Sequence, residues 1–246
     1  MDTTIIKGLR LLDRIAQADA PVGVTAMARE MGLEKSNIHR TMMTLVSLGY
    51  VARDAQSGRY GPTLKVWELG QRVVSRHPIV RTARPFMQML HQQTQETVHL
   101  TILDGFDCMY LDQIRAAIPV RTMPALGYRA PAMFPASGRV QLAFQPDVED
   151  FIQQFRAEHP RGKEIKPAAT LKEFAAIRQQ GFCYTESGWS AGVNSIAAAI
   201  VGRDDAAVAA IAVSGPAERL TTERMLKLAD QVLNACTQVS GSLRGT

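Results

Sequence analysis

VTAMAREMGLEKSNIHRTMMTLVSLGYVARDAQSGRY, residues 24–60, decides how the rest of the chain is read. Two short amphipathic helices are broken by Gly32, and Gly49 marks a second break. Thr25 can cap the first helix, Thr25–Met31, which would bury Met27, Ala28 and Met31. Gly32 supplies the left-handed residue that ends it. The second helix runs over about Glu34–Leu48, with Ile38, Met42, Leu45 and Leu48 as its apolar stripe. Two strand-like pieces follow, Tyr50–Arg53 and Arg59–Tyr60, turning through Ala55-Gln56-Ser57-Gly58. Helix, tight turn, helix and β-ribbon is the order of a winged helix-turn-helix, which places its second helix in a DNA major groove.

Opposite that stripe stand Asn37, Arg40, Thr44 and Ser47, with Lys35, Ser36 and His39 at the N-terminal end. Asn and Arg can pair in bidentate fashion with adenine or guanine edges, while Lys and Ser suit phosphates. A merely solvated helix face would also be polar, so the face alone decides nothing; the succession of elements does.

Working outward, MDTTIIKGLRLLDRIAQ at the N-terminus carries Ile5, Leu9, Leu12, Ile15 and Ala16 at helical spacing. Charge interrupts it, so it lacks the apolar core of a signal peptide. Val24 has the look of a short edge strand before the helix-turn-helix. The longest apolar runs, such as Ile196–Val201 and Ala206–Val213, fall short of the roughly 20 residues a membrane span needs. Cys108, Cys183 and Cys236 form neither a disulfide framework nor a metal knuckle. These features lead us to expect a cytoplasmic protein. The 246 residues suit two domains. Of the net charge of +5, residues 1–80 hold +4 and residues 81–246 hold +1. The excess thus sits with the helix-turn-helix, as phosphate binding requires.

GLEKSNIHRTMMTLVSLGYVARDAQSGRYGPTLKVWELG, residues 32–70, resembles the DNA-binding segment of the IclR family of bacterial transcriptional regulators. The likeness includes Lys35-Ser36, His39-Arg40, Leu45, Gly49-Tyr50 and Gly58-Arg59-Tyr60, then Leu64 to Gly70, without gaps. It implies a winged helix followed by an effector-binding domain related to GAF domains. The expected fold is therefore α+β: a winged helix-turn-helix over 1–63, a linker helix over 64–78, and a GAF-like mixed-sheet domain over 79–246. The implied DNA-binding residues are Lys35, Ser36, Asn37, His39, Arg40, Thr44 and Arg59.

Leu64–Arg76 reads as the linker helix, with Leu64, Trp67 and Leu69 apolar, and His77-Pro78 breaks it as a hinge. Ile79–Gln93 reads as a helix. Strands are expected over Thr97–Leu103 and Cys108–Ile114, turning at Asp104-Gly105, and over Phe182–Thr185, Asn194–Val201 and Ala206–Ser214. The last two, rich in small apolar residues, should be central. Pro119–Pro135 reads as loop with room for one strand. Helices are expected over Ser137–Phe144, Asp147–Ala157, Leu171–Gln180 and Thr221–Val239, the last capped by Thr221 or Thr222.

Gly188-Trp189-Ser190-Ala191-Gly192 spells the G-x-S-x-G motif of a hydrolase elbow, which needs a strand before the serine, a helix after it, and a histidine later in the chain. All five histidines precede Ser190, and Val193–Val201 reads as strand, so a catalytic site is not expected. Metal-ligand spacing and a phosphate-binding loop are absent, and no cofactor is expected.

In the second domain the resemblance implies a pocket for a small organic acid. Ser137-Gly138-Arg139 stands where the family has an Ala-Gly-Lys-like start of a pocket helix, whose free N–H groups favour an anion. Gly181–Ala198 follows the family pattern with departures: Thr185 replaces an acidic residue and Ser195 a cysteine, while Ala199 stands for a proline. Ala212 replaces the first serine of a turn that keeps Ser214. Candidate effector contacts are thus Ser137, Gly138, Thr185, Trp189, Ser195, Ala212 and Ser214. Fewer polar groups and the added Trp189 point to a medium-sized or aromatic carboxylate rather than a two- or three-carbon acid. Trp189, Met123 and Met133 also read as core filling, and Ser195 and Ser214 equally as turn residues. The expected partners are double-stranded operator DNA and the organic acid, with a homodimer or a dimer of dimers and no membrane. An enzyme using Ser190, or a winged helix that binds protein, are the alternatives.

Overall fold

The computed structural model describes residues 3–117 and 124–245, and Met123 lies outside them. The chain divides into two units, Met1–Ser75 and Arg76–Thr246.

The first unit opens with α1 (Thr3–Gln17), α2 (Val24–Met31) and α3 (Lys35–Ser47). A hairpin of β1 (Val51–Arg53) and β2 (Tyr60–Pro62) and the helix α4 (Leu64–Arg76) follow. Leu11 and Ile15 from α1 meet Met27 and Ala28 from α2, Ile38, Met42 and Leu45 from α3, and Val51 and Tyr60 from the hairpin. The turn between α2 and α3 requires Gly32 at φ 63°, a left-handed conformation that costs glycine nothing, and its N–H closes the helix.

Three expectations shift here. Leu48 is 54% exposed instead of joining the stripe of α3. Ten residues on from Ile38, the 100° rotation per residue has carried it about 80° off that stripe. Ile5 and Leu9 stand outside the core as well, because Leu11 and Ile15 fill it. Thr25 is not the cap of α2: the helix starts at Val24 with Gly23 at the cap, and the lone strand-like bridge is Val22 to Tyr60.

The second unit begins with α5 (Pro78–Thr94), with His77 in extended conformation before it. Six strands form one sheet in the order β5-β4-β3-β8-β7-β6, namely β3 (Thr97–Asp104), β4 (Asp107–Ile114), β5 (Arg129–Pro131), β6 (Phe182–Glu186), β7 (Val193–Val201) and β8 (Ala207–Pro216). Every pairing is antiparallel, so what is mixed in this α+β domain is helix with sheet, not strand direction. Neighbours in the sheet are neighbours in sequence except at one ladder, where Thr97–Thr101 pairs with Ala210–Ser214. Between β5 and β6 the chain crosses from one sheet edge to the other through α6 (Ala136–Ala143), α7 (Val148–Glu158) and α8 (Pro167–Gln180). Pro167 at the first position lets α8 start before Leu171.

Strand alternation sorts the two faces. Val98, Leu100, Ile196, Ala198, Ile200, Ala209, Ile211 and Val213 turn toward α5 and α9 (Thr222–Arg244). Ala197, Ala199, Ala210 and Ala212 turn toward α6 and the aromatic residues behind it. Because these side chains are methyl groups, α6 can sit close to the strands, and nearly all of it is buried. Gln141 ties it down, donating to Thr101 Oγ1 at 3.1 Å. Thr221, not Thr222, caps α9 by accepting from Arg224 N–H.

Candidate functional site

In the first unit, Lys35, Ser36, His39, Arg40 and Thr44 are exposed on α3, with Asn37 half-buried. Arg40 donates to Asn37 Oδ1 at 2.9 Å, so the guanidinium is held along the helix surface. Thr44 donates to the Arg40 carbonyl at 3.1 Å, which leaves its hydroxyl oxygen as an acceptor. Asn37, Arg40 and Thr44 border a groove whose apolar walls come from α1, α3 and α4: Ile5, Leu9, Leu12, Leu48 and Leu69. Lys35, Ser36 and His39 do not border it. Arg59 lies on the hairpin turn, its guanidinium donating to the Pro21 carbonyl at 3.4 Å. That turn is rigid: Asp54 accepts from the Ser57 N–H at 2.7 Å and from its hydroxyl at 2.6 Å, which holds the carboxyl below its usual range. Lys65, which sequence reasoning passed over, donates to the Leu48 carbonyl at 2.7 Å and lies 4.6 Å over the Tyr50 ring. It thereby satisfies a free carbonyl at the C-terminus of α3 and complements the helix dipole there.

In the second unit a cleft opens on the α6 side of the sheet. It is lined by His99, Tyr110, Pro124, Pro135, Thr185, Trp189, Ser190, Val193, Ser195 and Ser214. Its free space is about 370 Å³ counted out to the mouth, and the enclosed part is narrow. Four of the seven expected contacts, Thr185, Trp189, Ser195 and Ser214, are brought together here. The register explains why: Thr185 pairs with Ser195 and Ser195 with Ser214, a row of hydroxyls across β6, β7 and β8. The Thr185 and Ser195 hydroxyls are 3.1 Å apart.

The other three lie beneath. Ser137 is buried, 3.8 Å from Cys108 Sγ and beside the Tyr110 hydroxyl. Gly138 touches main chain: a Cβ there would come within 2.2 Å of the Ala132 carbonyl oxygen. The missing side chain lets α6 approach the strand end closely. Ala212 is register partner to both His99 and Ala197, and its methyl leaves room for the imidazole. Met133 is core.

Trp189 has two sets of neighbours. It packs on the buried aromatic cluster and also lines the cleft. Its ring stacks at 6.3 Å on Phe134, with Arg161 3.6 Å over the Phe134 ring. Glu164 holds Arg161 through two hydrogen bonds of 2.6 Å.

Sequence reasoning did not single out His99. The imidazole is 1% exposed, and neither ring nitrogen has a hydrogen-bond partner among the described residues. Burial, and then the charge of Arg115, push its pKa down to about 4. Tyr110 meets it edge-on, and burial pushes that phenol up. The signal available was register: in a β3 read as Thr97–Leu103, position 99 alternates onto the face of Thr97 and Thr101. Among the described residues the lining contains no charged side chain. The cleft can therefore hold a polar ligand through hydroxyls and a neutral imidazole, against Trp, Pro and Val walls.

The G-x-S-x-G segment forms the turn between β6 and β7. The Ser190 carbonyl accepts from Val193 N–H at 3.1 Å, and β7, not a helix, follows. The strand–turn–helix an elbow needs is not formed there. The three cysteines are buried thiols, each pushed up to about 12. Among the described residues no His, Cys, Asp and Glu group is placed to hold a metal, and no helix is long and apolar enough to cross a membrane.

Comparison with known proteins agrees with both units. Residues 4–55 match the IclR helix-turn-helix domain, and residues 71–241 match the bacterial transcriptional regulator IclR C-terminal domain. The HTH-type transcriptional regulator KdgR of Escherichia coli is 27% identical, covering 98% of this chain and 92% of that protein. The crystal structure of Thermotoga maritima IclR is similar with a TM-score of 0.78 at 26% identity, covering 99% of both chains. An IclR homologue from Microbacterium hydrocarbonoxydans, solved with 4-hydroxybenzoate, shares the fold with a TM-score of 0.81 at 20% identity, over 99% of this chain and 100% of that one. The chain belongs to the IclR family and is a DNA-binding transcriptional regulator of that type.

Proposed function

We propose that a medium-sized or aromatic carboxylate, bound in the cleft of the second unit, controls how the first unit engages its operator. The observation that carries this is the lining itself: Trp189, Pro124, Pro135 and Val193 form apolar walls around Thr185, Ser195, Ser214 and His99. Few polar groups on apolar walls suit a ligand with one polar end and an apolar body. The homologue solved with 4-hydroxybenzoate supports an acid of this class. Since the enclosed part is narrow, an aromatic acid would enter by displacing the turn that carries Trp189.

Operator recognition falls to Arg40 and Asn37 for bases, with Thr44 beside them and Lys35, Ser36, His39 and Arg59 for the backbone. One winged helix offers too little contact for specificity, so two or more copies should read a palindromic site. Ile5, Leu9, Leu64, Trp67 and Leu69, all exposed, are the surface we assign to that pairing. Domain limits of 1–63, 64–78 and 79–246 follow, with a hinge at His77-Pro78 and a cytoplasmic location.

The test is a thermal-shift screen of aliphatic and aromatic acids, then operator binding with and without each hit. Hits confined to two- and three-carbon acids would refute the ligand class. Hits that leave operator binding unchanged would refute the control.

A further inference from the structure

His99 is a buried side chain without a hydrogen-bond partner among the described residues. The only nine-tenths-buried imidazole of the described chain, it lies on β3 where the central ladder meets the cleft. Among the described residues both ring nitrogens lack a partner, which a buried imidazole rarely tolerates, and the ring lines the space a ligand would enter.

We propose that His99 is the specificity-determining counter-charge of the cleft: it takes a proton from water as a carboxylate enters and holds that ligand as an ion pair. The inference rests on the carboxylate reading above.

Nothing else on the described walls can play this part. On β4 the facing groups are Tyr110, which burial keeps protonated, and Cys108 behind it, also neutral. Arg115, just past β4, is the one charge acting on the imidazole among the described residues. From β6, β7, β8 and the turn between β6 and β7 come only the hydroxyls of Thr185, Ser195, Ser214 and Ser190. The sole charged residue of α6, Arg139, is paired with Glu173 of α8. A carboxylate placed here would be desolvated with no charged side chain among the described lining residues, which is costly without a partner. A negative charge at hydrogen-bonding distance favours the imidazolium by about a thousandfold at the effective dielectric of a partly buried site. That is enough to turn a histidine that is neutral in the free protein into a charged one near neutral pH. A neutral ligand of the same shape gains nothing from this, so the device selects acids over their amides or aldehydes.

The experiment is calorimetric titration of the full chain with benzoate and with 4-hydroxybenzoate, benzamide serving as the neutral control. Runs near pH 6 in buffers of different ionisation heat count the protons taken up. We expect close to one proton per acid bound, and affinity rising by up to about tenfold per pH unit as pH falls from about 8. Benzamide should show neither effect, and His99→Gln should bind the acids more weakly with no proton uptake. Acid binding without proton uptake by the unmodified chain overturns the proposal, whatever the variant does. Uptake that persists in a folded His99→Gln protein also overturns it. Failure of both acids to bind at any of these pH values would instead refute the carboxylate reading on which it rests.

Discussion

His99 and Tyr110 meet edge to face, their ring centroids 5.2 Å apart and their planes at 89°. The contact packs an imidazole against an aromatic ring instead of giving it a hydrogen bond, and burial, then the charge of Arg115, keeps it neutral. The consequence can be measured without any ligand. The folded chain protonates His99 only at about 4, against 6.5 for the ordinary side chain. Between those values the unfolded chain binds a proton that the folded chain does not, so stability must fall as pH drops from about 6.5 toward 4. The loss through this group is on the order of 3 kcal/mol at the acid end. Thermal melting across the window should show it, and His99→Gln should flatten that part of the curve. An unchanged slope would place the acid sensitivity elsewhere.

Arg40, tied to Asn37 along α3, should read a base rather than a phosphate. Replacing Arg40 by Ala is expected to weaken operator binding by about 1–3 kcal/mol and binding to random DNA much less. Competition binding with both DNAs measures the difference, and equal losses would make Arg40 a phosphate contact. Lys35→Ala should behave in the opposite way, weakening both and reducing the steepness with which affinity falls as salt rises.

Gly138→Ala should damage the second unit despite being the mildest of substitutions. The added methyl would meet the carbonyl oxygen, Cα and carbonyl carbon of Ala132, all main chain. Backbone cannot swing aside as a side chain can, so α6 must retreat from β5, costing about 1–3 kcal/mol. A chain of this size loses roughly 2–4 °C of melting temperature per kcal/mol. A variant melting with the parent would show that α6 has slack that these distances deny.

What could be read in advance follows the reach of each signal. Helix periods, Gly32 and the short ribbon are local, and the first unit was legible from them. The stripe on α3 was overextended at Leu48 because a spacing rule was carried a turn too far. In the second unit Thr185, Ser195 and Ser214 were singled out by their positions in the family pattern, and the register of β6, β7 and β8 sets them side by side. His99 was not, since its place opposite Ala212 depends on β3 pairing with a strand more than a hundred residues away. Gly138 was noticed as the start of a pocket helix, but its close approach to the Ala132 main chain is visible only once the neighbouring strand end is placed. Trp189 was left between two readings, and its ring both packs on the aromatic cluster and borders the cleft.

That long-range ladder also sets an order in time. Every β pairing in the first unit, Val22 with Tyr60 included, closes within residues 1–75. The sheet of the second unit cannot be joined until Ala210–Ser214 is made and meets Thr97–Thr101. At bacterial synthesis rates of about 5–20 residues per second, the intervening chain takes on the order of ten seconds to appear. A growing chain therefore carries a finished helix-turn-helix well before it has a cleft, and any product that stops short of β8 keeps the first and never acquires the second.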